Sequence, residues 1–286
     1  MLKAAETIIR TVQKENIGIA DAILKLCTAD TGISETEIRG RMYERLCAIF
    51  DSVDDAKANK EPLQFGQIPD LNFTDDAFSG NFTLLASKNA ILVSKHNATM
   101  GRVVAAPTAG SCGIIPGIFS AWKELRGGDD CDEKLTDALI IAGAVGEVIA
   151  TRATLAGAEG GCQAECGAAA AMASAALVYL RGGTAEECMH AAALTIKSLL
   201  GLACDPVGGI VECPCIKRNG MLVGNAILAA DLALAGVRSL IPLDEVIDTM
   251  KEIGQMLPPA IRETSLGGLA QTPAGLALTA KLRQGE

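Results

Sequence analysis

Apolar residues recur at helical spacing along most of this chain, and alternation of period two is convincing nowhere outside Ile210–Cys213. The spacing predicts helices over Thr7–Gln13 and Ala20–Leu26. Ser34 stands three residues before Glu37 as a capping box, opening a helix whose apolar face carries Met42, Leu46, Ile49 and Val53. Residues 1–58 hold no constellation of chemistry and read as a helical N-terminal packing segment. From 59 to 80 the pattern lapses into Pro62, Gly66, Pro69, Asp70, Asn72, Asp75, Asp76 and Gly80, a loop or linker and the most plausible boundary. A third region, 81–286, begins with a helical pattern from Asn81 to about His96.

Beyond it, Ala105–Gly117 is punctuated by Gly and Pro and reads as a turn leading a helix toward Trp122. Lys134–Ala156 is a long, nearly uncharged helical run. Gly160-Gly161-Cys162 opens a helix through Tyr179, closed by Arg181-Gly182-Gly183. Thr184 caps the next helix, with Glu187 three residues on, and that helix runs to Leu200. Pro and paired Gly keep Cys204–Asn219 irregular. Gly224–Leu240 and Leu243–Met256 are two further helices, and residues 262–268 are a closing loop. The fold class is therefore all-α.

Composition sharpens this picture. The chain is 49% hydrophobic but only 3% aromatic, with 30 glycines, so its helices pack through small side chains that let backbones approach. A net charge of −9 argues against nucleic acid, which needs clustered Lys and Arg. No basic segment precedes an apolar one at the N-terminus, and the longest apolar runs are too short to span a bilayer. The expected compartment is the reducing cytoplasm, where ten cysteines do not form a disulfide framework.

The cysteines sort by neighbourhood. Cys27, Cys47 and Cys188 fall within helical patterns and read as small buried hydrophobes, and Cys131 sits in a polar loop. Cys162, Cys166, Cys204, Cys213 and Cys215 each lie beside a backbone-breaking residue or at the mouth of a small-residue helix. Cys162 at a helix N-terminus suits a thiolate, because backbone N–H groups and the helix dipole favour negative charge. A metal or iron–sulfur pocket and a set of structural thiols both fit these residues, since the spacing is neither ferredoxin-like nor zinc-ribbon-like. Thr108 and Ser111 offer hydroxyls beside backbone N–H groups at a helix start, a place that binds carboxylate or phosphate; a simple capping turn is the alternative. Arg152 needs an anionic partner, in a ligand or in the protein, with Glu147 and Glu159 nearest in sequence. His96, at a helix end, is the better candidate of the two histidines for proton transfer; His190 lies on an apolar helix face.

Four ordered stretches together resemble the alpha subunit of iron–sulfur-dependent L-serine dehydratase: MGRVVAAPTAGSCGIIPG at 100–117, AGAEGGCQAECG at 156–167, GLACDPVGGIVECPCIKRN at 201–219 and RETSLGGLAQTPAG at 262–275. The resemblance implies a 4Fe-4S cluster held by Cys162, Cys204 and Cys215, with Cys166 and Cys213 where relatives carry Val. It implies one iron without a thiolate, acting as a Lewis acid on a substrate hydroxyl, so that L-serine gives pyruvate and ammonia in an oxygen-sensitive reaction. It further implies a separate beta subunit. Substrate contacts are expected at Asn97, Thr108, Gly110 and Ser111, with Arg152 and Glu165 added, and His96 as the candidate base.

Departures from the family pattern open two alternatives. Residues 59–80 lack the upstream Thr-Gly-Leu-Thr-Gly-Gly-Asp type segment, and an Asn-Glu-x-Asn pattern becomes Ser-Lys-His-Asn at 94–97. An Asn-Ala-Ser-Ile-Ser-Gly pattern becomes Arg-Ala-Thr-Leu-Ala-Gly at 152–157. Lys95, His96 and Arg152 thus add cations, which suit a substrate with an extra carboxylate such as 2-(hydroxymethyl)glutarate. An iron–sulfur electron carrier, with all four irons thiolate-bound, is the alternative of a different class.

Overall fold

A computed structural model describes residues 2–284. No β-strand occurs among them, only two isolated bridges. Twelve α-helices follow in order: α1 (Ala5–Glu15), α2 (Ile19–Thr31), α3 (Glu35–Ala58), α4 (Asn81–Ala98), α5 (Ile114–Arg126), α6 (Cys131–Arg152), α7 (Gly157–Gly160), α8 (Ala168–Leu180), α9 (Ala185–Leu199), α10 (Cys215–Leu234), α11 (Leu243–Met256) and α12 (Pro273–Gln284). The all-α expectation is met. None of these helices is long and apolar enough to cross a membrane.

Helix α8 is the axis of the bundle. Every residue from Ala168 to Val178 is buried, seven of them Ala, and α5, α6, α9 and α10 pack around it. A helix apolar on all sides has to be enclosed in this way. Ser174, its polar residue within the buried run, is satisfied inside the bundle: its Oγ accepts from the Thr195 hydroxyl at 3.0 Å and donates to Ala171 O. Close approach is also used on α10, where a Cβ at Gly220 would lie 2.6 Å from Ile91 of α4. Ile8, Ile23, Leu24, Leu46 and Ile49 of the first three helices belong to the same continuous core as α5, α6 and α8.

Helix ends follow local chemistry. Ser34 Oγ accepts from Glu37 N at 3.2 Å, and Thr184 and Glu187 cap each other reciprocally. Three sequence expectations shift. Helix α6 stops at Arg152 rather than Ala156, because Thr154 Oγ1 turns back to accept from Ala156 N and donate to Glu159. Helix α10 begins at Cys215, well before Gly224, since the irregular segment ends at Pro214 and the glycines of α10 are tolerated for close packing. Cys131 is not in a loop: it is the first residue of α6 and is buried. Residues 59–80 form no helix, and their path is pinned by the buried Glu212 carboxylate, which accepts from Gln64 N at 2.8 Å and Phe65 N at 2.9 Å.

Candidate active site

Four separate segments meet at the N-terminal side of α8. The first is a turn of π-helix, Gln163–Gly167, entered from Gly161 at φ 75° through Cys162. Gln163 fixes it: its side chain, 1% exposed, donates to Met250 O and accepts from Gly201 N, each at 2.9 Å. The second is the 3-10 turn Ala109–Ser111, leading to α5. The third is the segment from Cys204 to Cys215, which turns into α10 through Pro214. The fourth is the closing loop, joined to the third by Cys204 N to Ile261 O at 2.9 Å and Glu263 N to Cys204 O at 2.7 Å.

This meeting brings Cys162, Cys204 and Cys215 within electrostatic reach: Cys204 feels the charge of both Cys162 and Cys215, and Cys215 that of Cys162. Burial, then the neighbouring Cys162, pushes Cys204 upward; the same two causes push Cys215 up to about 12. Cys162 moves the other way, held low first by the S–H of Cys166 and further by the Arg218 guanidinium. Cys166, fully buried, is held well above its usual range by its bond with Cys162 and by burial. It also donates to Gly110 O at 3.7 Å, and Asn219 Nδ2 reaches it at 4.0 Å. Cys213 stays outside this group and lines a small cavity beside Phe65 and Leu278. Among the described residues no three His, Cys, Asp or Glu side chains are arranged to grip a single metal ion.

Glu165 is the carboxylate of the site. Its Oε1 accepts from the Thr108 hydroxyl at 2.8 Å, and its Oε2 lies 3.9 Å from Cys204 Sγ. Burial raises its proton affinity, against the lowering effect of the Thr108 bond. Thr108 and Ser111 hydroxyls are 3.1 Å apart, with Ser111 fully buried. Gly110 packs on Glu165, where a Cβ would stand 3.0 Å from Oε1. Asn97 reaches the same turn from α4, donating to Ala109 O at 3.2 Å.

Two sequence candidates are placed elsewhere. His96 Nδ1 bonds Asn59 Nδ2 at 2.8 Å, while its ring is pressed on Gly101 and its buried Nε2 meets no protein partner. It makes no bond to the Thr108–Glu165 pair. Arg152 has found its anion in the protein, but neither Glu147 nor Glu159: Asp248 on α11 takes Nε at 3.0 Å and Nη2 at 2.5 Å. An aspartate 96 positions away is invisible to a search of near neighbours in sequence.

Two residues that sequence reading passed over hold the site together. Arg218 donates to Asp205 Oδ1 at 2.8 Å and Ala203 O at 2.7 Å, and its guanidinium also faces the Cys162 thiol. Asn219, fully buried, accepts from Gly113 N at 3.0 Å and donates to Gly110 O at 2.9 Å and Cys215 O at 3.0 Å. The signal lay in their spacing, since Cys215, Arg218 and Asn219 at i, i+3 and i+4 share one helix face.

The family model for the serine dehydratase alpha chain matches residues 4–270. The chain belongs to the serine dehydratase alpha chain family. It is 42% identical to the "L-serine dehydratase, alpha chain" of Peptoniphilus asaccharolyticus over 96% of both chains, and 50% identical to the "Probable L-serine dehydratase, alpha chain" of Bacillus subtilis over 72% of this chain and 68% of that one. It also matches "L-serine dehydratase TdcG" of Escherichia coli at 42% identity, spanning 40% of that longer protein.

Proposed function

We propose that this chain is the catalytic alpha subunit of an iron–sulfur L-serine dehydratase, a lyase that converts L-serine to pyruvate and ammonia. The observation that carries the reading is the meeting of Cys162, Cys204 and Cys215 from three distant segments around Glu165, in a chain that matches the family model over residues 4–270. Relatives named as alpha chains support a separate beta subunit as its partner.

The donor set fits a 4Fe-4S cluster. Thiolates are the ligands such clusters take, and each cluster sulfur ligand binds a different iron, so the donors need not surround one ion. Burial and mutual repulsion make several adjacent thiolates costly unless cationic charge sits among them, and Arg218 alone is too little for three. Cys162, Cys204 and Cys215 would hold the cluster. A bound iron free of thiolate would supply Lewis acidity toward the substrate hydroxyl. The chain's own residues do the rest. Thr108, Ser111 and Asn97 orient the substrate at the turn before α5. Gly110 leaves room beside Glu165, which takes over from His96 as the group that holds and moves a proton, at Oε2. Overall, water leaves L-serine across Cα and Cβ, and the enamine formed tautomerises and is hydrolysed to pyruvate and ammonia.

Anaerobic protein is expected to contain about four iron and four sulfide per chain, to form pyruvate from L-serine, and to lose both iron and turnover in Cys204→Ser. Iron-free active protein would defeat the cofactor assignment. Turnover of 2-(hydroxymethyl)glutarate without serine turnover would defeat the substrate assignment; with Arg152 committed to Asp248, the dicarboxylate reading has lost one of the three cations that motivated it. A cluster whose spectrum ignores added serine would favour the electron carrier.

A further inference from the structure

Away from the cysteines, a cavity of about 420 Å³ opens between α3, α5, α6 and residues 104–107. Ile49, Ile115, Leu139 and Met172 form its buried floor, and Met42 flanks it. Enclosures of this size and apolar character commonly receive a small ligand. One wall is Gly143, in the interior of α6, where glycine weakens a helix relative to alanine. Two other glycines packed in this part of the bundle have a close neighbour: a Cβ at Gly146 would lie 2.9 Å from Met172 Sδ, and one at Gly117 would lie 2.4 Å from Ala86 O. At Gly143 a Cβ would meet only the terminal methyl of Met42, at an ordinary 3.7 Å. No packing requirement accounts for this glycine; what it does is keep the cavity open.

The mouth of the cavity adds charge. Arg41 is paired with Glu37 at 2.6 Å. Arg45 donates to the Arg41 carbonyl at 3.1 Å and has no carboxylate partner among the described residues. Apolar walls under a single unneutralised guanidinium recognise a molecule with an aliphatic body and one anionic head. We infer that this cavity is a binding site for an aliphatic monocarboxylate of medium chain length, its tail against Met42, Met172 and Gly143 and its head at Arg45. Pro107 lines the cavity, and the next residue, Thr108, donates to Glu165, so occupancy has a one-residue path to the candidate active site.

The test is calorimetric titration of the full chain with sodium octanoate, with 1-octanol as the uncharged probe. Octanoate is expected to bind saturably at one site and at least tenfold more tightly than octanol. Gly143→Leu, which fills the space with its side chain, is expected to lower octanoate affinity at least tenfold while its unfolding midpoint stays at or above that of the native chain. Arg45→Gln is expected to bring octanoate down to the octanol level. Should Gly143→Leu fail to fold, octanoate-induced shifts of the Met42 and Met172 methyl resonances in the native chain decide the matter. The absence of saturable octanoate binding, equal binding of octanol, unchanged affinity in folded Gly143→Leu, or unmoved methionine resonances would each overturn the site. These readouts need no dehydratase activity, so they stand or fall apart from the catalytic reading.

Discussion

The thiol site and the apolar cavity lie on either side of residues 104–111, and they treat space in opposite ways. At the thiol site the room left by glycine is filled. A Cβ at Gly157 would stand 2.5 Å from Glu165 Oε2 and 3.3 Å from Cys204 Sγ, and one at Gly268 would stand 2.4 Å from Asp205 Oδ2. Polar groups there are bonded several times over, as with Asn219, Gln163 and Asp205. In the cavity there is room at Gly143, and Arg45 has no carboxylate partner among the described residues. The crowded glycines let Glu165 and Asp205 sit against the backbone, whereas Gly143 leaves room beside the cavity.

The largest test of this contrast is Gly157→Val. Its side chain would displace Glu165 and crowd Cys204, and a misplacement of about 1 Å at a reacting group costs on the order of 100-fold in rate. We expect serine turnover to fall by about that factor with the circular dichroism spectrum retained; near-normal kinetics would show that Glu165 is not positioned by this contact. Next comes Asp205→Asn. The carboxylate is 5% exposed, pairs with Arg218 and accepts from Leu269 N at 2.8 Å, and stripping one partner from such a pair costs about 3 kcal/mol. A urea titration resolves a loss of that size. Gln163→Leu leaves Gly201 N and Met250 O without their bond, so about 2 kcal/mol of stability should go, read in the same titration. The smallest effect has the opposite sign. Gly143→Ala should raise stability by about 0.5–1 kcal/mol, because the position has room and lies in a helix interior. A loss there would mean the void is not a void.

Much of this molecule could be read before any coordinates. The apolar period, the Ser34 and Thr184 caps and the breaks at Gly182 and Gly183 are local, so each is decided by a few neighbouring residues. The run Ala168–Val178 declared its own burial by lacking a polar face. The cysteines were singled out by their neighbours, and Thr108, Gly110, Ser111 and Glu165 were named and stand together.

What stayed hidden depends on contacts between residues far apart in the chain. Arg152 showed a need for an anion but not that Asp248 on another helix would meet it, and His96 showed an imidazole but not that Asn59 and Gly101 would enclose it. Likewise nothing local distinguishes Gly143 from Gly146; only the partner packed against each one does. Helix type and boundary are set by short-range sterics and hydrogen bonding along the backbone, which residue order alone encodes. Which charges are paired, which thiols share a wall and which space is left unfilled are settled when the helices dock, because those energies belong to pairs of surfaces and not to any one segment.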